Sequence, residues 1–234
     1  MRKLSIIVPL KNRSFYTKIY LENLHDEFFY FFADGSNNDN HKKIFSNIKK
    51  INIRYIRYTE DKTVANYIEK INDILKYVET PYVMFSDNDD FILKKGALKC
   101  LQQLENKNVK AICAGGKITS IFQCNKLDKK YSMPFTLYDN YSLNKLHDID
   151  GVYEMFKNYR YLYYSIYKTK YIRNFWIDIK NIGLNHITLI EIFLTISSLL
   201  EGRYIDTKES HYLRLRNPTS SSDKTENPYG SNHT

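Results

Sequence analysis

Short apolar runs at residues 4–8, 28–33, 51–55 and 82–85 alternate with segments of helical character at 15–24, 40–49 and 64–78. An unbroken apolar run between turn residues marks a strand covered on both faces, and strands separated by helices join in parallel. The pattern predicts an α/β domain with a Rossmann-like, mostly parallel central sheet flanked by helices. Ligands of such sheets bind beyond the carboxyl ends of the strands. Three loops then share one edge although they lie far apart in sequence: residues 9–13, 34–38 and 87–90.

The third loop holds Asp87, Asn88, Asp89 and Asp90. Three carboxylates at one strand end repel one another unless a cation or a helix start offsets them. Capping the helix that begins near Leu93 accounts for one acid and leaves the others. A hard divalent cation takes oxygen ligands, and one or two carboxylates plus substrate phosphates complete its shell, so a nucleotide is the substrate this loop fits. Asn12 and Arg13 offer donors to an anion or a base. Asp34 can accept hydrogen bonds from the amide or imide edge of a nucleobase, with Gly35 allowing a tight turn. Each of these is, taken alone, an ordinary turn residue. Their joint occurrence, each after a predicted strand, is what points to a site.

The chain of 234 residues is long enough for one sizeable core, and its apolar runs are spread evenly, so one domain is expected. With 43% hydrophobic and 26% charged residues and eight glycines, it reads as globular rather than disordered. A formal charge of +9 concentrates anions without choosing among nucleotide, nucleic acid and acidic lipid headgroup. No Arg/Lys-rich arm, zinc-finger spacing or aromatic RNA-binding signature is present, which argues against a nucleic-acid partner. Cys100, Cys113 and Cys124 are odd in number and lack CxxC spacing, as expected of reduced thiols in a cytoplasmic setting. Residues 4–10 are too short for a signal-peptide core and contain Pro9. The longest apolar stretch, 187–200, is shorter than a spanning helix and carries Glu191, so any membrane contact is expected to be peripheral. The cluster Tyr159, Tyr161, Tyr163, Tyr164, Tyr167 and Tyr171 is interleaved with Arg160, Lys168, Lys170 and Arg173. It fits a surface that stacks on sugars or bases, a membrane interface, or a tyrosine-rich core with solvated lysines.

Residues 5–9, Asn12-Arg13, Ala33-Asp34-Gly35-Ser36 and residues 85–90 resemble, in that order, the successive nucleotide-binding motifs of family 2 glycosyltransferases, which have the GT-A fold. The resemblance is close over roughly the first 115 residues and looser beyond; the ordered set is more specific than any one motif. It implies inverting transfer of a sugar from a nucleotide-diphosphate donor, a UDP-sugar foremost, to a glycan or lipid-linked acceptor. It also implies Mg²⁺ or Mn²⁺, and bacterial surface-polysaccharide assembly at the inner face of the cell membrane. By the same resemblance Pro9, Asn12, Arg13, Asp34, Lys62, Asp87, Asn88 and Arg216 contact the nucleotide, with Asp34 at the base and Asp87 near the ribose. Asp89, joined by Asp87, would hold the metal, and Asp90 would support the loop or approach the acceptor. Residues 1–115 then form the donor half, 116–216 the acceptor half of the same domain, and 217–234 a flexible polar tail. Two departures stand out. Ala33 replaces an aspartate the family often has, and Ala65-Asn66 lacks the arginine of the family's Ala-Arg-Asn segment, leaving Lys62 as a substitute.

Inverting transfer needs a carboxylate to take the acceptor proton. Glu191 is the base candidate: Thr188, Glu191, Thr195 and Ser198 form one polar stripe on an otherwise apolar helix, and a carboxylate among apolar walls has its pKa raised. The competing expectation is that this stripe faces solvent. Asp150 and Asp178 are weaker substitutes. Residues 214–221 resemble the family's closing loop, with Arg216 where a histidine stands; His211 is a further candidate ligand or a strand-edge residue. A nucleotide-binding scaffold without turnover, and a basic nucleic-acid binder, are the alternatives from other functional classes.

Overall fold

The computed structural model describes residues 2–106, 108, 110–122, 135–136, 148–157 and 162–216. Its first part follows the predicted alternation. Strands β1 (Leu4–Leu10), β2 (Phe29–Asp34), β3 (Ile53–Arg57) and β4 (Tyr82–Phe85) are interleaved with helices α1 (Ser14–Glu22), α2 (Asn40–Phe45) and α3 (Val64–Lys76). They lie in the order β3-β2-β1-β4, all parallel. Leu4, Ile6, Ile7 and Val8 are fully buried, as an apolar run covered on both faces requires. Helix α2 ends at Phe45, the last ring there to bury, and Ile51 falls in an exposed turn before β3. Helix α3 begins with a reciprocal capping box between Thr63 and Asn66, and buries Val64, Tyr67, Ile68, Ile71 and Leu75 at helical spacing.

The second part adds β5 (Phe91–Ile92), α4 (Lys94–Leu104), β6 (Ala111–Phe122), β7 (Phe135–Thr136), α5 (Asp148–Lys157), β8 (Ile166–Lys168), α6 (Thr169–Ile182), α7 (Ile187–Glu201) and β9 (Arg203–Arg216). The sheet continues as β4-β8-β6-β9-β5, with β7 paired to β6. Strand β8 is antiparallel to both neighbours, whereas β6 and β9 run parallel from Ala111↔Arg203 to Phe122↔Arg216. Helix α3 packs on α6, α4 lies over β6 and β9, and α5 rests on α7. The sequence reads β9 as two pieces, at 203–205 and 211–216. They are one strand, because register shifts near Gly115 and Lys117 and a left-handed Lys208 (φ 63) absorb the polar stretch between them.

Tyr163, Tyr164 and Tyr167 are buried, so the core reading of the tyrosine cluster holds for them; Tyr159, Arg160 and Tyr161 lie outside the described residues. Cys100 and Cys113 are buried free thiols, and Cys124 and residues 217–234 also fall outside the description. Among the described residues no helix is long and apolar enough to cross a membrane.

Candidate active site

Parallel registry carries the carboxyl ends of β1, β2 and β3 to one edge, where Leu10 aligns with Asp34 and Asp34 with Arg57. Strand β4 leaves β1 after the Ile7↔Phe85 pair, so Pro9, with no N–H to give, lies past the last β4 ladder position. The chain then turns through two consecutive left-handed residues, Asn12 (φ 57) and Arg13 (φ 58). Side chains rarely adopt this backbone without surrounding contacts that enforce it. Here the Asn12 N–H donates to Ser36 Oγ (2.7 Å), and Asn12 Oδ1 accepts from Asn37 N (3.3 Å) and Asn38 Nδ2 (3.2 Å). On the other side, Arg13 pairs with Asp89, and Asn88 Nδ2 donates to Arg13 O (3.3 Å) and Thr17 Oγ1 (2.8 Å). Asn88 thus fastens its loop to α1.

Asp34 is completely enclosed. Its Oδ1 accepts from Ser36 N (2.9 Å), Ser36 Oγ (2.5 Å) and His41 Nδ1 (3.3 Å), and its Oδ2 from Tyr55 OH (2.6 Å) and Arg57 Nη1 (2.7 Å). Burial pushes this carboxyl up, but the donors from His41, Ser36 and Tyr55 outweigh it and hold it well below the carboxylate range. The side chain expected to meet the base is therefore the hub of a protein network, and Arg57 and Tyr55 are its outward members. Gly35 is dictated by close approach: a Cβ there would sit 2.2 Å from Asp61 Cγ. Buried Asp61 pairs with buried Lys70, which also reaches Leu10 O (3.3 Å), and Lys11 donates to Asp61 O. Lys62 points away, 73% exposed beside Glu60, and Asn66 is occupied with capping.

The tetrad is compensated far less completely. Asp87 Oδ2 accepts from Tyr164 OH (2.6 Å), while its other oxygen meets no donor among the described residues. Asp89 meets Arg13, yet burial and the Asp87 charge outweigh that cation and raise its pKa. Asp90 Oδ1 accepts from Leu215 N (2.9 Å), and among the described residues no donor stands within hydrogen-bond geometry of its buried Oδ2, the Tyr212 hydroxyl being the nearby polar group. Burial together with Asp87 and Asp89 pushes its carboxyl well up, against Arg214 and Tyr212. Tyr164 and Tyr212 stack at 4.4 Å, and the Tyr212 hydroxyl accepts from Asp87 N (3.0 Å). The Arg214 guanidinium stands 5.7 Å from the Tyr164 ring centroid. Arg214 lies within electrostatic reach of the tetrad; the Arg216 side chain lies outside the described residues. His211 is no strand-edge ligand. Strand β9 is internal, and both ring nitrogens are engaged, with Gly116 N (3.1 Å) and Tyr164 O (3.0 Å).

The polar stripe of α7 turns inward from Glu191 onward: Thr195 and Ser198 are fully buried, Thr188 in the first turn is exposed, and so are Leu189, Phe193 and Leu200. Glu191 sits on this inner side, partly buried, within electrostatic reach of Asp87 and Arg214. Burial first, then the Asp87 charge, raises its pKa to about 7. Asp150 and Asp178 are exposed on α5 and α6. Among the described residues there is no group of three or more His, Cys, Asp or Glu side chains able to enclose a metal. The Asp87 oxygen without a donor and the neighbouring Asp89 carboxylate fit the sparser two-carboxylate set used by Mg²⁺ or Mn²⁺ when substrate phosphates supply the remaining ligands.

A curled, largely parallel sheet with an acidic loop after its fourth strand and a carboxylate facing it from a later helix defines the GT-A class. The chain belongs to glycosyl transferase family 2, whose family model matches residues 5–174. No curated protein matches it. Among solved structures it is similar to S. aureus TarS 1-349, at 17% identity and a TM-score of 0.59 over 91% of this chain and 60% of that one. The same protein in complex with UDP-GlcNAc aligns over 98% of this chain and 61% of that one, at 16% identity and a TM-score of 0.61. Its complex with UDP gives 18% identity and a TM-score of 0.55 over 92% and 61%. The chain spans about three fifths of TarS 1-349.

Proposed function

We propose that this chain transfers a sugar from a nucleoside-diphosphate donor, a UDP-sugar foremost, to a hydroxyl of a glycan or lipid-linked acceptor, with inversion. The observation that carries this reading is Glu191, turned inward towards the Asp87 loop with a carboxyl poised near neutrality. Its carboxylate takes the proton of the acceptor hydroxyl as that oxygen attacks the anomeric carbon. The bond from that carbon to the donor phosphate breaks on the opposite face, and the nucleoside diphosphate leaves with the electron pair. Arg13 and Arg214 supply positive charge near the leaving group, and the Tyr164 hydroxyl steers Asp87. Asp87 and Asp89 would hold Mg²⁺ or Mn²⁺, which offsets charge on a departing diphosphate. Arg57 and Tyr55, at the mouth of the Asp34 network, are the groups best placed to meet the nucleoside. The similarity to a protein solved with UDP-GlcNAc supports a UDP-sugar as the first donor to try. A role in bacterial surface-polysaccharide synthesis follows from the family resemblance and belongs to the same proposal.

Transfer and donor hydrolysis are to be measured over a panel of nucleotide sugars, with and without Mg²⁺ or Mn²⁺, for the parent, Asp89→Asn and Glu191→Gln. The reading expects Asp89→Asn to weaken cation-dependent donor binding, and Glu191→Gln to spare binding while removing transfer. Nucleotide binding without turnover by the parent on every acceptor tried would instead favour a scaffold.

A further inference from the structure

Helix α7 carries an apolar row on its outer side in addition to the one it buries. Its inner side holds Ile190, Leu194 and Leu199 together with Glu191, Thr195 and Ser198, while Leu189, Phe193, Ile196 and Leu200 follow one another at spacings of four, three and four along the opposite side. Three of these are exposed, and Ile196 is half-buried. That spacing is the heptad seam of helices that pack lengthwise on a partner helix. The adjoining α5 repeats the pattern: it buries Val152 and Met155, and exposes Ile149, Tyr153 and Phe156 at spacings of four and three. Ile196 aside, the exposed fractions of these residues run from 41% to 69%.

We propose that this α5–α7 face is the interface of a two-fold homodimer in which the helix pairs of two copies pack as a bundle. Three features favour a second copy of this chain. The exposed apolar side chains amount to on the order of 600 Å² per copy, at the upper end of what monomers leave bare and near the roughly 800 Å² per partner of a standard interface. A two-fold contact needs one self-complementary patch. The α7 seam meets that need, because its single charged residue between Leu189 and Leu200 is Glu191, which faces inward. The charge of the two helices disfavours an anionic bilayer: Asp148, Asp150, Glu154, Glu191 and Glu201 stand against Lys157 alone, on a chain of net charge +9.

The test is sedimentation of the parent, Phe193→Glu/Leu200→Glu, Tyr153→Glu/Phe156→Glu and the control Ile51→Glu, which alters an isolated side chain 86% exposed in the turn before β3. At a loading of about 50 µM the parent and the control are expected to sediment as two chains, and each double variant as one. Unchanged far-ultraviolet circular dichroism and a single cooperative thermal transition would show that the variants keep their fold. A parent that sediments as one chain, double variants that remain paired, or a control that also dissociates would each overturn the proposal. So would a monomeric parent that floats with vesicles of phosphatidylglycerol and phosphatidylcholine, which would assign the face to lipid.

Discussion

Asp34 and the Asp87–Asp90 loop are two acidic centres on the same edge of one sheet, and their surroundings treat charge in opposite ways. Asp34 gathers donors from Ser36, His41, Tyr55 and Arg57, and its carboxyl is held down. Among the described residues the tetrad has a buried Asp90 oxygen and an Asp87 oxygen that meet no donor, and carboxyls at Asp89 and Asp90 that are pushed up. A closed network holds a loop in shape; an under-compensated one leaves charge for a ligand to neutralise. The contrast separates the acid that builds the site from the acids that use it.

The most severe way to break the contrast is at the base that faces the open centre. Glu191→Gln is expected to lower transfer by about a thousandfold or more while changing donor affinity less than about twofold, read by initial rates and calorimetric titration. Next comes the closed centre. Asp34→Ala strands Arg57 and the Tyr55 hydroxyl, and should lower unfolding stability by about 3 kcal/mol in a denaturant titration. Asp90→Asn removes a repelled carboxylate and should leave stability unchanged or raise it by up to about 1 kcal/mol. Equal losses from these two variants would erase the distinction.

The pH dependence sharpens it further. The Glu191 pKa is raised in the folded state, so that state binds the extra proton more readily than the unfolded chain. Its contribution to stability is therefore present at low pH and is lost as pH rises from about 4.5 through about 7, by on the order of 1–2 kcal/mol given its partial exposure. Asp34 works the other way. Its depressed pKa gives stability that is present above about pH 4 and lost as the solution becomes more acidic. Parent stability should peak between these limits, and the decline towards neutrality should flatten in Glu191→Gln. Transfer by the parent should rise through about pH 7 as the carboxylate forms. The smallest effect belongs to Lys62→Ala, which should alter nucleotide affinity by less than about 0.5 kcal/mol, because its ammonium stands in solvent beside Glu60.

Strands β1, β2 and β4 were legible because each is a short apolar run covered on both sides, and the tetrad follows from its place after β4. The later strands were not. Strand β6 contains Gly115, Gly116 and Lys117, and β9 is interrupted by Thr207, Lys208 and Glu209, so neither keeps the periodicity of a strand. The partners of Asp34 come from α2 and β3 and leave no local spacing to find. One partial signal did exist: Tyr55 ends the strand expected over 51–55 and Arg57 follows two residues on, so continuing that strand by two residues, as β3 does, places both side chains on one face beside β2. The orientation of α7 could not be read because a helix apolar on most sides has the same composition whether its polar stripe turns in or out. Tertiary partners decided it: Thr195 accepts from the Leu162 N–H, and Ser198 meets the Tyr171 hydroxyl. The family's Asn66 was legible as a motif and yet serves the capping of α3.

The left-handed turn at Asn12 and Arg13 has a kinetic corollary. Its shape is fixed by contacts to Ser36, Asn37, Asn38, Asn88 and Asp89 that exist before any ligand arrives. A donor meeting this mouth finds a rigid rim and need not mould one. Capture should then be governed by diffusion and long-range attraction, speeding up as salt is withdrawn, with no slow isomerisation trailing the encounter.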